Sequence, residues 1–179
     1  MANWAWRIFQ YDFEHSWRDL SDVLGCSRDL VSWARQGGVP HGQRFLIGPD
    51  GFADLRVNAF LGSARMRNLS EATNRDYAHS LALWLNFLHA TGRPPWWQAS
   101  VDDAEEFQFW RLSDPVNDHR VGTSAFAKDL AAGKKFYGWV RNRYPGVSDP
   151  FNEMAFPVAR READVNRSDR RIGVHVDRA

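Results

Sequence analysis

Cysteine occurs once, at Cys26, in 179 residues. That excludes a disulfide framework and a Cys-based zinc site, and a single free thiol fits a reducing cytoplasm. Lysine is nearly as scarce, three of 23 basic residues against 20 arginines. No apolar run approaches the roughly 18 residues a membrane span requires. The opening MANWAWRIFQYDFEH carries acids where a secretory leader would be apolar. A charge of one sign is lacking too: 23 bases and 22 acids leave +1, no blanket attraction to nucleic acid or membrane. There is no Walker loop, GxSxG, HExxH or pair of cysteine ligands. The six histidines are scattered singly, and the HxxR spacing of His15/Arg18, His41/Arg44 and His175/Arg178 is what an Arg-rich chain produces by chance. No metal, cofactor or small-molecule substrate is expected from this composition.

What is present is aromatic bulk and segregated charge. Nine Trp and twelve Phe can fill a substantial core. Residues 101–118 carry six acids against Arg111, a local −5, and residues 120–144 carry six bases against Asp129, a local +5. All three lysines, Lys128, Lys134 and Lys135, lie in the second stretch.

The pattern along the chain is helical. In residues 15–40, Trp17, Leu20, Val23 and Leu24 recur at helical spacing and Gly25 stops them. Ser27 can cap a second helix closed by Gly37-Gly38. The pair has the spacing of a helix-turn-helix, and equally of an ordinary helical hairpin. A Gly/Pro-rich connector with a PDG turn follows, containing FLI at 45–47, the one stretch that reads as a short strand. RVNAFLGSARM then turns helical. Ser70 caps the clearest helix, with Tyr77, Leu81, Trp84, Leu85 and Leu88 in one stripe, stopped by Gly92 and Pro94-Pro95. Ser100 caps an acidic helix whose carboxylates suit the helix dipole and solvent. Thr123 or Ser124 caps the last, with Phe126, Leu130, Phe136, Trp139 and Val140 inward. Residues 156–179 hold six Arg and four acids with little apolar periodicity, and read as a basic flexible tail.

The last helix offers free N–H groups at its start and cations along its length, which suits a phosphate backbone. Thr73, Asn74 and Arg75 give a second helix start, whose Asn and Arg could reach base edges in a major groove. Two such starts suit a clamp on duplex DNA.

Residues 45–155 resemble the N-terminal half of tyrosine recombinases, the phage-integrase family, in a form common in actinobacterial elements. The resemblance is carried in order by FLIGPDG and VNAFL, by Ser70-x-x-Thr73-x-x-x-Tyr77 followed by Leu81-x-x-Trp84-Leu85, by Phe107-x-x-Trp110, and by Phe136-Tyr137-x-Trp139 before Asp149-Pro150-Phe151. It implies an all-α fold: a SAM-like core-binding bundle of four to five helices at 45–155. A helical extension at 1–44, helix-turn-helix-like, would precede it and the tail at 156–179 would follow. It implies duplex DNA as partner, gripped at a recombination site by one jaw of a C-shaped clamp. By position, Thr73, Asn74 and Arg75 would face the DNA, as would Thr123, Ser124 and Lys128, with Lys134, Lys135 and Arg141 near the backbone. Tyr77, Leu81, Trp84, Phe107, Trp110, Leu130, Phe136 and Trp139 would form the core. Ser27, Arg28 and Ser32 would start a second recognition helix.

The family's catalytic domain, with its Arg/Lys/His/Arg set and tyrosine nucleophile, should follow Phe151. Only 28 residues do, and none is tyrosine; Tyr11, Tyr77, Tyr137 and Tyr144 all precede them. The chain is therefore expected to bind DNA without cutting it, in a bacterial cytoplasm, as a fragment or a natural short protein. RRIGVHVDRA, unlike the start of a catalytic domain, points to a natural end. A full-length integrase or a second copy is a further expected partner. The alternative is a helical protein–protein interaction module without DNA binding.

Overall fold

In this computed structural model residues 5–13, 32, 35–152 and 154 are described. Two short strands, β1 (Arg7–Gln10) and β2 (Arg44–Ile47), pair antiparallel with Phe9 opposite Phe45. Five helices follow: α1 (Leu55–Leu61), α2 (Ala64–Arg67), α3 (Glu71–Ala90), α4 (Val101–Leu112) and α5 (Thr123–Arg141). A 3-10 turn at Trp96–Gln98 joins α3 to α4. The architecture is the expected all-α bundle, with a two-stranded ribbon laid on it. The ribbon contains the FLI stretch. Its partner β1 was not legible, because four largely exposed residues, Arg7-Ile8-Phe9-Gln10, show neither clean alternation nor helical spacing.

Two asparagines attach the ribbon to the helices. Asn58 on α1 accepts from the Leu46 N–H (2.8 Å) and donates to its carbonyl (2.9 Å). Asn86 on α3 does the same for Trp6, at 2.7 and 3.1 Å. Each side-chain amide thus stands in for a neighbouring strand and satisfies both polar groups of one peptide residue.

The helix starts follow the cap chemistry. Ser70 accepts from the Thr73 N–H at 3.2 Å. Ser100 and Asp103 form a capping box, each bonding the other's backbone N–H. Asp54 caps α1 through Oδ1 and takes the Trp96 indole N–H on Oδ2 at 2.9 Å, tying α1 to the α3–α4 link. One cap differs from expectation. Gly122 is the N-cap of α5, with no side-chain bond, and Thr123 is its first helical residue. Neither Thr123 nor Ser124 caps the helix.

The core is aromatic. Trp84 meets Phe107 and Phe151 edge-on, with ring centroids 5.2 and 5.0 Å apart. Leu81, Trp84, Phe107, Leu130, Phe136 and Trp139 are buried as expected, while Tyr77 and Trp110 are only partly so. The Tyr137 hydroxyl donates to the Trp96 carbonyl (2.7 Å) and accepts from the Trp84 indole (3.1 Å). Asp129 on α5 takes the Arg111 guanidinium of α4 at 2.9 and 3.0 Å and the Ser80 hydroxyl of α3 at 2.7 Å. The lone base of the acidic stretch and the lone acid of the basic stretch are therefore each other's partners, buried between helices.

Two glycines of α5 separate packing from propensity. A Cβ on Gly133 would lie 2.6 Å from the Phe151 ring, whereas one on Gly138 would meet nothing within 4 Å. Gly133→Ala should lower unfolding free energy by about 1–3 kcal/mol through overpacking. Gly138→Ala should raise it by up to about 1 kcal/mol through helix propensity. Denaturant titration of both variants checks the opposite signs.

Burial alone would raise the Asp103 carboxyl. The Ser100 N–H and hydroxyl, with the Arg93 guanidinium 3.1 Å away, outweigh it and hold the group below the usual carboxylate range. Its stabilisation is therefore full above the unfolded carboxylate pKa and is lost as pH falls through the lower folded value. Asp103→Asn keeps the cap geometry without the charge. It should cost about 1 kcal/mol at neutral pH and give a flatter stability profile in the acid range, read by thermal melts across pH.

Candidate nucleic-acid interface

On α5, Ser124, Lys128, Ala131, Lys135 and Gly138 recur at spacings of three and four residues, so they form one stripe along the helix, while Arg141 lies about 100° around the helix from it. Ser124, Lys128 and Arg141 are exposed, and Ala131, Lys135 and Gly138 partly so. The alternation is chemically useful. Cations stand beside positions with little or no side chain, where a bulky ligand can approach the backbone. The first N–H groups of α5, uncapped by any side chain, lie at the start of this stripe.

The stripe borders a cleft of about 360 Å³ lined by Arg65 of α2, Tyr77 of α3, and Ala131, Lys134, Lys135 and Gly138 of α5. Three cations from two helices converge there with a phenol, and no carboxylate lines it. Such a concavity focuses positive potential on whatever enters it. Lys134 is partly buried and donates to the Met154 carbonyl at 2.6 Å, so it is also a structural tie. Arg65 and Tyr77 were missed in the sequence. Arg65 sits on a helix of only four residues, too short to show a face, and Tyr77 fits the apolar stripe of α3 equally well.

The start of α3 divides its three site residues. Thr73 lies one turn before Tyr77 on the same face, its hydroxyl 2.8 Å from that of Ser70. Arg75 is two residues on, about 200° around the helix from Thr73. It is exposed, with Nε 3.9 Å from Asp76. Asn74 turns inward: its amide donates to the Met66 carbonyl at 3.3 Å, and its oxygen is buried. Thr73 thus joins the face that carries Tyr77, while Arg75 and Asn74 look elsewhere. Of the second site, Ser32 is helical and exposed, and Ser27 and Arg28 lie outside the described residues.

The acidic stretch serves α4 itself. Asp103 is buried in the capping box, Arg93 pairs with both Asp103 and Glu106, and Asp102, Glu105 and Glu106 face solvent. Among the described residues no group of three or more His, Cys, Asp or Glu could hold a metal ion. No described helix is long and apolar enough to cross a membrane.

Neither the curated proteins nor the solved structures give a match to this chain. A family does: residues 59–143, from the middle of α1 to just past α5, match the phage integrase N-terminal SAM-like domain. Every residue lining the basic cleft falls within that span. The helices that build the cleft are therefore those that match the phage integrase N-terminal SAM-like domain.

Proposed function

We propose that this chain binds duplex DNA sequence-specifically at a recombination site, as the non-catalytic clamp half of an integrase-type recombinase. The observation that carries the reading is the cleft whose lining joins Arg65, Lys134 and Lys135, inside the residues that match the integrase domain, with Asp149 beyond the lining and near enough to Lys134 to interact with it. The stripe from Ser124 to Gly138 extends it, giving phosphates Lys128 and Lys135 to follow. Thr73 and the N–H groups at the start of α5 add neutral donors at its ends. Arg75 would reach DNA only from a separate face of α3. Ser27, Arg28 and Ser32 remain a proposed second DNA-binding element.

Binding without cleavage is supported by what the tyrosines do. Burial pushes the Tyr137 hydroxyl far above the ordinary phenol range, and both its hydrogen bonds are spent within the core. Such a group is no nucleophile. Tyr77, in the cleft, has a place against the DNA backbone instead. On this reading the protein occupies DNA in a bacterial cytoplasm and works beside a full-length integrase or a second copy.

A second reading, an interaction module without DNA binding, rests on a different surface. Phe52 and Leu55 are 75% and 81% exposed. Phe52 and Trp97 also line a groove of about 440 Å³.

Lys128→Ala with Lys135→Ala tests the first reading without touching the structural Lys134. Fluorescence anisotropy on a duplex should show affinity at least ten-fold lower at fixed salt. The slope of log K against log salt should shrink by about 2, near 0.9 for each phosphate the variant no longer neutralises. Equal affinity for wild type and variant, or no duplex binding by wild type, would sink the reading and leave the interaction module.

A further inference from the structure

One face of α4 is used neither by the fold nor by the proposed grip on DNA. Asp102, Glu105, Glu106 and Phe109 are exposed, while Asp103, Ala104, Phe107 and Arg111 on the opposite side are buried. Successive helical residues turn by about 100°, so the four exposed positions share an arc of about 100°. They form an acidic stripe with an aromatic ring at its C-terminal end. Glu106 is paired with Arg93. Asp102 and Glu105 have no ion-pair partner among the described residues. Phe109 is 57% exposed. A lone exposed Phe is ordinary, but this one stands in line with two unpaired acids, and the set has a complement on the same molecule.

That complement is the stripe of α5. Lys128 and Lys135 also lack ion-pair partners among the described residues, and they alternate with Ala131 and Gly138. A Cβ on Gly138 would meet nothing within 4 Å, so a ring has room to lie against the backbone there. Tyr77 and Ala131, lining the same cleft, add apolar surface. Asp149 is near Lys134 and Arg141, which lie off the stripe, and leaves the two stripe lysines to a partner. The order matches as well. Glu105 and Asp102 lie about one and two turns before Phe109, and Lys135 and Lys128 lie about one and three turns before Gly138. The long lysine stem closes the difference. Two parallel helices side by side therefore set ring on small residues and carboxylates on ammoniums. Both stripes are exposed in the one chain, so neither covers the other, and the match is made only between two copies.

We propose that α4 of one copy lies along α5 of another, Phe109 seated at Gly138 and Asp102 and Glu105 on Lys128 and Lys135, so that a second copy and DNA take the same cations in turn. The contact is head-to-tail, since each copy offers α4 to one neighbour and α5 to the next. Exposed ion pairs are individually weak and are screened by salt. The assembly is therefore a state of low salt and high protein concentration. The contact stands on the two stripes alone; its exclusion by DNA rests on the DNA reading above.

Sedimentation of the full chain at about 0.01 M salt, where the Debye length is about 30 Å, and at about 1 M, where it is about 3 Å, tests the contact. Species heavier than the 20.6 kDa monomer are expected at low salt and the monomer alone at high salt. Asp102→Asn with Glu105→Gln, and separately Lys128→Gln with Lys135→Gln, should each give a monomer at low salt with unchanged melting temperature. Mixed one to one, the two double variants should form a dimer and nothing larger, because a single native junction remains between them. Phe109→Ala should weaken association at least three-fold. A wild type that stays monomeric at low salt overturns the proposal, as do variants that associate like wild type and a mixture that stays monomeric or grows past a dimer. A short duplex added to the wild-type assembly should break it into DNA-bound monomers, and duplex bound with the assembly intact overturns the exclusion. If the assembly forms and no duplex binds, the DNA reading fails and the contact stands. If duplex binds a chain that is monomeric at low salt, the contact fails and the DNA reading stands.

Discussion

Three helices meet at one carboxylate. Asp129, buried on α5, receives Arg111 from α4 and Ser80 from α3, and the rest of Arg111 is satisfied by the His119 carbonyl at 3.1 Å. A buried ion pair contributes little net stability, but deleting one partner leaves an uncompensated charge and costs about 3–5 kcal/mol. The arrangement therefore fixes which faces of α3, α4 and α5 turn inward. With Arg111 and Asp129 consumed by each other, the surfaces left to solvent are acidic on α4 and basic on α5. The near-zero total charge conceals that division, and the division is what leaves the lining of the basic cleft cationic.

Much of the bundle was legible. Ser70 and Ser100 cap where side-chain oxygens and following acids said they would. The stripe Leu81, Trp84, Leu85, Leu88 is buried because 3.6-residue periodicity is a direct consequence of burying one helix face. What escaped had weaker local signals. β1 depends on Asn86, 80 positions away from the Trp6 it bonds, and no local window contains that bond. Gly122 takes the N-cap place of α5 with an extended backbone, φ −75° and ψ 166°, that any residue can adopt, and it has no side chain to announce the boundary. The hydroxyls that follow it suggested otherwise.

The candidate site was legible in part for the same reason. Lys128 and Lys135 share a face by spacing alone, and Arg141, six residues on, does not. Arg65 enters only through the turn at Gly62 and Ser63 that sets α2 against α3, which is tertiary information. Asn74 shows the reverse error. An amide at a helix start suggests a base edge, yet the Met66 carbonyl draws it inward.

Lys134 belongs to the cleft and also holds the Met154 carbonyl. The same ammonium thus serves two claimants. A ligand that drew Lys134 into the cleft would compete with the Met154 carbonyl for it, so filling the cleft and holding the chain just past α5 are opposed demands on one side chain.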